Sequence, residues 1–247
     1  MEIPSNVFVF DTPEQLATAA AERFVEYEYP FHGEPDRFSV ALAGGNTPRR
    51  VYELLATERF EHRVEWPQVD LFFGDERCVP PDHPDSNYAM AYETLISKVA
   101  IPAKNVHRII GEGKPGESAT LYENQLRTFF AGASWPRFDL VLLGMGEDGH
   151  TASLFPGSDA LSEKSKWVVP AKPPGSKHDR ITLTVPVFNH AARVVFLVTG
   201  AGKAERLAQV LRPQPGSDPL PAQVIQPVAG SLEWLVDSAA ASLLKHS

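Results

Sequence analysis

The chain has 247 residues, 43% hydrophobic and 22% charged, the composition of a globular protein with a sizeable core. Its length suits one α/β domain over residues 1–247. The formal net charge of −8 argues against broad nucleic-acid binding, which needs a basic footprint, yet a few local cations suffice to hold a small anion. One cysteine, Cys78, rules out an intramolecular disulfide; with no signal-like N-terminus and no apolar run of about 18 residues, a cytoplasmic protein without a membrane span is expected.

A strand predicted at Val7–Phe10 leads into a helix at Pro13–Tyr29. That helix has Thr12 as N-cap, Pro13 at its first position and Gln15 to complete a capping box, and Leu16, Ala20, Phe24 and Tyr27 share its core face. A strand at Phe38–Ala43, a helix at Pro48–Thr57, a strand at Val69–Phe73 and a helix at Asn87–Val99 follow. Next come a strand at Val106–Ile109, a helix at Glu117–Phe130, and strands at Phe138–Leu143, Trp167–Val169, Ile181–Val185 and Val194–Thr199. The last predicted elements are a helix at Gly202–Leu211, a strand at Val224–Pro227 and a helix at Leu232–Lys245. Such alternation predicts an α/β fold: three layers, α/β/α, around a mainly parallel, doubly wound sheet. The Pro/Gly-rich stretches 111–116, 172–177 and 212–221 read as exposed loops rather than domain linkers. There is also an internal echo, WPQVDLFFGDE at 66–76 and WPRFDLVLLGMGED at 135–148. Both run through an apolar strand and leave it at glycine beside acids, at the carboxyl edge of the sheet.

Five motifs carry chemistry. Ala41–Pro48 (ALAGGNTP) joins a strand to a helix; paired glycines let the backbone approach a ligand, and the helix N-terminus favours an anion. Thr47 is the expected N-cap there, with Pro48 the first helical residue. It is neither a Walker A loop nor a dinucleotide fingerprint. Phe73–Asn87 (FGDERCVPPDHPDSN) puts Asp75, Glu76 and Arg77 at a strand exit, with Asp85 or Ser86 capping the next helix and Cys78 a small filler. Leu140–Gly157 (LVLLGMGEDGHTASLFPG) ends an apolar strand in three glycines, two acids and His150, followed by a short helical turn that Ser153 would cap. Asp179–Thr184 (DRITLT) and Thr199–Lys203 (TGAGK) set Arg180 and Lys203 at strand ends, where cations suit phosphate.

In this order, GGNTP, GDERCVP with its downstream Asp-Ser-Asn, GMGEDGHTASLFPG, RITLT and TGxxK closely resemble the 6-phosphogluconolactonases, which share a sugar-phosphate superfamily with the glucosamine-6-phosphate deaminases. The resemblance spans Val7 to Trp234 and is most diagnostic over Asp75–Pro80 and Gly144–Gly157. It implies hydrolysis of 6-phospho-D-glucono-1,5-lactone in the pentose phosphate pathway, with a small sugar phosphate as the partner. It also implies that Gly44, Gly45, Asn46 and Thr47 cradle the phosphate, with Arg180 and Lys203 as counter-cations; the sequence leaves open which of Arg49, Arg180 and Lys203 contacts it most closely, and Asn46 replaces a serine often found there. Asp75 falls among the substrate-binding positions, Arg77 matches an arginine that reaches the substrate, and His150 matches the catalytic histidine.

A δ-lactone is an activated ester, so its hydrolysis needs water, a base and a holder for the oxyanion. Histidine suits the base, since its unperturbed pKa lies near working pH. Asp148 is placed to orient His150, although a two-residue spacing does not by itself ensure contact. No metal or other cofactor is expected, because the histidines lack an H-E-x-x-H or similar spacing, and no G-x-S-x-G elbow points to a serine nucleophile. The rival reading is an amino-sugar phosphate deaminase. Phe155 stands where those enzymes carry a glutamate, and Arg77 where they carry an aromatic residue, and both departures favour the lactonase.

Overall fold

The computed structural model describes residues 3–33, 36–173, 175–212, 216 and 218–244. The strands are β1 (Val7–Phe10), β2 (Phe38–Leu42), β3 (Val69–Phe73), β4 (Asp75–Arg77), β5 (Leu140–Gly144), β6 (Val168–Ala171), β7 (Arg180–Leu183), β8 (Arg193–Val198) and β9 (Ser231–Asp237). The α-helices are α1 (Pro13–Glu28), α2 (Asn46–Leu55), α3 (Glu58–Glu61), α4 (Asn87–Ala91), α5 (Pro115–Phe129), α6 (Asp159–Ser162), α7 (Val185–Asn189) and α8 (Ala204–Leu211). No described helix is long and apolar enough to cross a membrane.

Six strands form a parallel sheet in the order β1-β9-β8-β5-β2-β3, with helices on both faces. Every residue of β2 and β3 is buried, as expected where both faces of a parallel sheet are covered. β2 and β3 run to one side, whereas β5, β8 and β9 build out from the other side of β2. The direction of winding therefore reverses between β2 and β5, and open α/β sheets bind ligands in the crevice beyond the carboxyl ends at such a point. The two echoed segments supply β3 and β5, which flank β2 on either side.

A second, antiparallel sheet has the order β4-β7-β6. The chain passes from β3 through Gly74, whose N–H donates to Leu42 O (2.9 Å) and whose carbonyl accepts from Leu183 N (2.9 Å), straight into β4. The small sheet thus hangs from the carboxyl edge of the large one. Sequence patterning predicts the strands that became β6 and β7 but not their separate sheet, nor β4, which reads as a charged loop.

Three predicted elements are corrected. Leu232–Lys245 is not a helix: its first half is β9, paired in parallel with both β1 and β8, and only Ala240–Leu243 makes a 3₁₀ turn, Lys245 lying outside the described residues. The alanines and leucines after residue 238 suggest a helical period, but Trp234, Leu235 and Val236 fit the pleat, and the gap between β1 and β8 takes them. Val224–Pro227 is not a strand, because the Asn189 side chain takes the backbone groups a ladder would use, donating to Val224 O (3.0 Å) and accepting from Gln226 N (2.7 Å). Val106–Ile109 reduces to one bridge, Leu71 to Val106, before the chain turns away toward Gly111. The predicted helix Asn87–Val99 keeps its start, with Ser86 Oγ accepting from Ala89 N (3.0 Å), but widens into a π-helical turn over Tyr92–Ile96. In α1, Thr12 caps Gln15 N (3.2 Å) as expected, while the Gln15 side chain accepts from Asp11 N (3.0 Å) one residue earlier than a capping box requires. Of the three predicted loops, residues 174, 213–215 and 217 lie outside the described residues.

Candidate active site

The carboxyl ends of β2, β5 and β8 meet β4 and β7 around a cleft of about 200 Å³, walled by Gly44, Gly45, Asp75, Arg77, Asn87, His150, Arg180 and Lys203 together with the Gly144–Gly146 and Ala152 backbone. Three grooves elsewhere are larger, at about 510, 520 and 630 Å³; the first two are lined by no histidine, and the third, with His32, lies along the C-terminal half of α1.

β5 ends at Gly144, and the loop after it folds back on itself. Gly146 N donates to His150 O (2.8 Å), Gly149 takes φ +83°, and Thr151 Oγ1 donates to Gly144 O (2.8 Å). The loop brings two side chains together: His150 Nδ1 and Asp148 Oδ1 are 2.6 Å apart, and the same oxygen accepts His150 N (3.0 Å). Although partial burial opposes ionisation, the hydrogen bonds from His150 hold the Asp148 carboxyl below its ordinary value. An ionised carboxylate can only accept, so the proton between them sits on Nδ1, and in the neutral ring the free lone pair is on Nε2. The Phe155 ring lies 4.5 Å from the imidazole, centroid to centroid, and packs it in place.

The residues after His150 form no helical turn. Ala152 adopts φ +47° and Thr151 bridges Leu154, so the segment is a tight reversal. Ser153 accordingly does not cap a helix; fully buried, its Oγ donates to Asp75 Oδ2 (2.6 Å) and joins the loop of the large sheet to the small one. Asp75 also accepts from Asn87 Nδ2 (3.0 Å) and lies 3.8 Å from Arg180 Nη1. Glu76, next along β4, is buried and points into the start of α4. It accepts from Arg77 N (2.7 Å), Asn87 N (2.7 Å), Tyr88 N (2.8 Å) and Ser86 Oγ (3.0 Å). Burial pushes its pKa up despite these donors.

Register in the small sheet sets Arg77 directly opposite Arg180. Each guanidinium has a buried Nε without a hydrogen-bond partner. Burial lowers the pKa of Arg180, with Asp75 opposing the shift, and its guanidinium carbon sits 5.8 Å above the Phe155 ring. Arg77 Nη1 donates to the backbone carbonyl of Asp85. On the opposite wall, Lys203 lies in a 3₁₀ turn after β8, and its ammonium has no ion-pair partner among the described residues. That turn is tied down by the buried Asp237, whose oxygens accept from Gly200 N (3.0 and 3.1 Å).

Not every residue singled out in the sequence lines the cleft. Asn46 opens α2 and is exposed, and Thr47 lies inside the helix rather than capping it, because Gly45 (φ +100°) takes the cap position. Thr47 Oγ1 instead hydrogen-bonds Thr199 Oγ1 (2.7 Å), linking the two loops at the cleft's edge. Arg49 pairs with Glu93 (3.2 Å) along a groove away from the cleft. Asp148 stands behind His150. Burial raises Cys78 to about 11, in keeping with a filler. One polar wall residue was not singled out, Asn87, although its signal was present in the Asp-Ser-Asn that follows GDERCVP. Among the described residues, the cleft holds no group of three His, Cys or carboxylate ligands at metal-binding distance; the one such cluster lies beyond Arg77, at His83, Asp85 and His178.

Residues 11–234 match the family described as glucosamine-6-phosphate isomerases/6-phosphogluconolactonase. The chain belongs to this family. It is 44% identical over 211 residues to a 6-phosphogluconolactonase of Nostoc sp., covering 84% of this chain and 85% of the relative. A 6-phosphogluconolactonase of Haemophilus influenzae is 35% identical, covering 97% of this chain and 100% of the relative. Among solved structures, 6-phosphogluconolactonase from Trypanosoma brucei superposes with a TM-score of 0.88 at 32% identity, covering 99% of this chain and 100% of that one. A monomeric glucosamine-6-phosphate deaminase shares the fold, with a TM-score of 0.80 at 21% identity over 96% of this chain and 99% of that one.

Proposed function

We propose that the chain is a 6-phosphogluconolactonase, which hydrolyses 6-phospho-D-glucono-1,5-lactone to 6-phospho-D-gluconate with His150 as general base. The observation that carries this reading is the Asp148–His150 pair on one wall of a cleft whose other walls hold Arg77, Arg180 and Lys203. His150 Nε2 takes a proton from water as the water oxygen bonds to the lactone carbonyl carbon. Asp148 stabilises the imidazolium that results. Arg77, with its unpartnered Nε, and N–H groups of the glycine loop are placed for the tetrahedral oxyanion. When the ring C–O bond breaks, the imidazolium returns its proton to the departing ring oxygen, and the acid formed ionises.

The phosphate is assigned to the Gly44–Thr47 segment. The first turn of α2 leaves backbone N–H groups without intrahelical acceptors, and the helix dipole adds to their pull on an anion. Arg180 and Lys203 supply the charge, and Asp75 aligns Arg180. The reading needs neither nucleic acid nor membrane, and treats residues 1–247 as one cytoplasmic domain.

The test is direct. Purified protein is expected to accelerate loss of the lactone in the presence of a metal chelator and to release no ammonia from glucosamine 6-phosphate. A lactone rate equal to spontaneous hydrolysis overturns the proposal. Lys203→Ala is expected to raise KM for the phosphorylated lactone about tenfold, the low end for a charge-assisted hydrogen bond at a partly exposed site, with little change in kcat. An equal loss for an unphosphorylated gluconolactone would remove Lys203 from the phosphate site.

A further inference from the structure

Beyond Arg77, the loop leading into α4 and the loop leading into β7 meet at three side chains. His83, Asp85 and His178 each offer one ligand atom, and these atoms lie within 4.8 Å of one another. Asp85 Oδ2 is 3.3 Å from His178 Nε2 and 3.9 Å from His83 Nδ1. Ligands held 2.0–2.1 Å from a tetrahedral zinc ion are about 3.3 Å apart, so the first spacing already fits and the others close with a small shift.

The second observation concerns His178. Its Nε2 is buried, makes no hydrogen bond, and faces a carboxylate oxygen. At 3.3 Å without a hydrogen bond, the nitrogen and the carboxylate are left poorly matched, and a metal ion shared between them would satisfy both, as a proton in better alignment would. Both loops are held in shape without a metal. His83 N donates to Pro80 O (3.0 Å) and Ser86 N to His83 O (2.9 Å), while Ser176 Oγ donates to His178 O (3.0 Å). Asp85 is largely exposed, which leaves room for water as a fourth ligand. Two features oppose loading. His83 Nδ1 accepts from Asp85 N (3.0 Å), a bond that would be exchanged for the metal, and Arg77 and Arg180 are nearby cations.

We propose that His83, Asp85 and His178 form a binding site for one divalent transition-metal ion of the zinc class, set apart from the hydrolytic groups. Two imidazoles and one carboxylate favour zinc over magnesium or calcium, which prefer all-oxygen shells. The ion would staple the two loops and hold the Asp85 carbonyl that accepts from Arg77.

The experiment is equilibrium dialysis of the full-length protein against Zn²⁺, with metal content measured per chain, beside thermal unfolding. One Zn²⁺ per chain is expected, with a rise in Tm that tracks zinc concentration. His83→Gln, His178→Gln and Asp85→Asn are each expected to weaken binding at least tenfold and to remove the zinc-dependent rise, whereas His62→Gln, at an exposed histidine elsewhere, changes neither. The three single variants lie on two loops, so misfolding of one leaves the other two to decide. Mg²⁺ in hundredfold excess should not displace the zinc. Retention of wild-type affinity within twofold in the folded ligand variants, or displacement by Mg²⁺, overturns the site.

Discussion

His150→Gln is expected to lower kcat by about 10²–10⁴-fold, the range over which a positioned general base contributes, while binding of phosphorylated ligands changes little. Glutamine preserves much of the side chain's size and can still donate toward Asp148. It cannot accept a proton from water at neutral pH. The expected size of the loss follows from the local geometry. Asp148 fixes the ring through its 2.6 Å contact and Phe155 limits its tilt, so the imidazole reaches the reaction already oriented. Because the lactone also opens spontaneously, the measurement is enzyme-dependent lactone loss after subtraction of the uncatalysed rate, beside a dissociation constant for 6-phosphogluconate. Turnover within threefold of wild type would take the role of base away from His150.

Gly146→Ala is expected to cost nearly as much, although the residue carries no chemistry. A Cβ there would lie 2.0 Å from His150 Nδ1, 2.2 Å from His150 Cε1 and 2.6 Å from Asp148 Oδ1. All three distances are well inside van der Waals contact, so the methyl group and the Asp148–His150 hydrogen bond cannot coexist. The obstructed atoms are ends of partly exposed side chains rather than core backbone, so the fold should survive with a loss of about 1–3 kcal/mol. A kcat loss of about 10²-fold or more with a nearly normal unfolding transition is therefore expected. The double variant separates this route from others. If Gly146 acts through the pair, adding Gly146→Ala to His150→Gln costs little further, since residues acting as a unit are not additive. Multiplicative losses would show that the loop matters for another reason.

How much of this was legible in the sequence differs between elements for physical reasons. The glycine loop after β5 announces itself locally, because an apolar strand, three glycines and a histidine occupy neighbouring positions. The GGNTP turn is legible on the same grounds, although its cap falls on Gly45 instead of Thr47. β9 was not legible. The alanines and leucines that follow it suggest a helical period for the whole segment, and pairing with β1 and β8, neither of them its neighbour in sequence, makes its first half a strand. Ser153 was misjudged for a similar reason. A serine near an expected helix start suggests a cap, while its actual partner, Asp75, comes from the other sheet. Long-range partners also explain Arg49, whose pairing with Glu93 turns it away from the cleft. Contact between Asp148 and His150, left open by their spacing, is decided by the turn at Gly149.

Arg77 and Arg180 face each other across β4 and β7, and like charges directly opposite in a sheet are unfavourable. Each keeps a buried Nε unmatched, so the ligand-free cleft is short of negative charge. On the proposed assignment, the sugar phosphate fills that deficit as a removable piece of the architecture. At a hundred times its Kd, 6-phosphogluconate should add about 2.7 kcal/mol, or roughly 5–10 °C in Tm for a chain of this size, and unphosphorylated gluconate much less. Equal shifts from the two would assign the deficit elsewhere. A protein built this way is least stable when idle, and its resistance to heat and proteolysis becomes a gauge of how much substrate or product surrounds it.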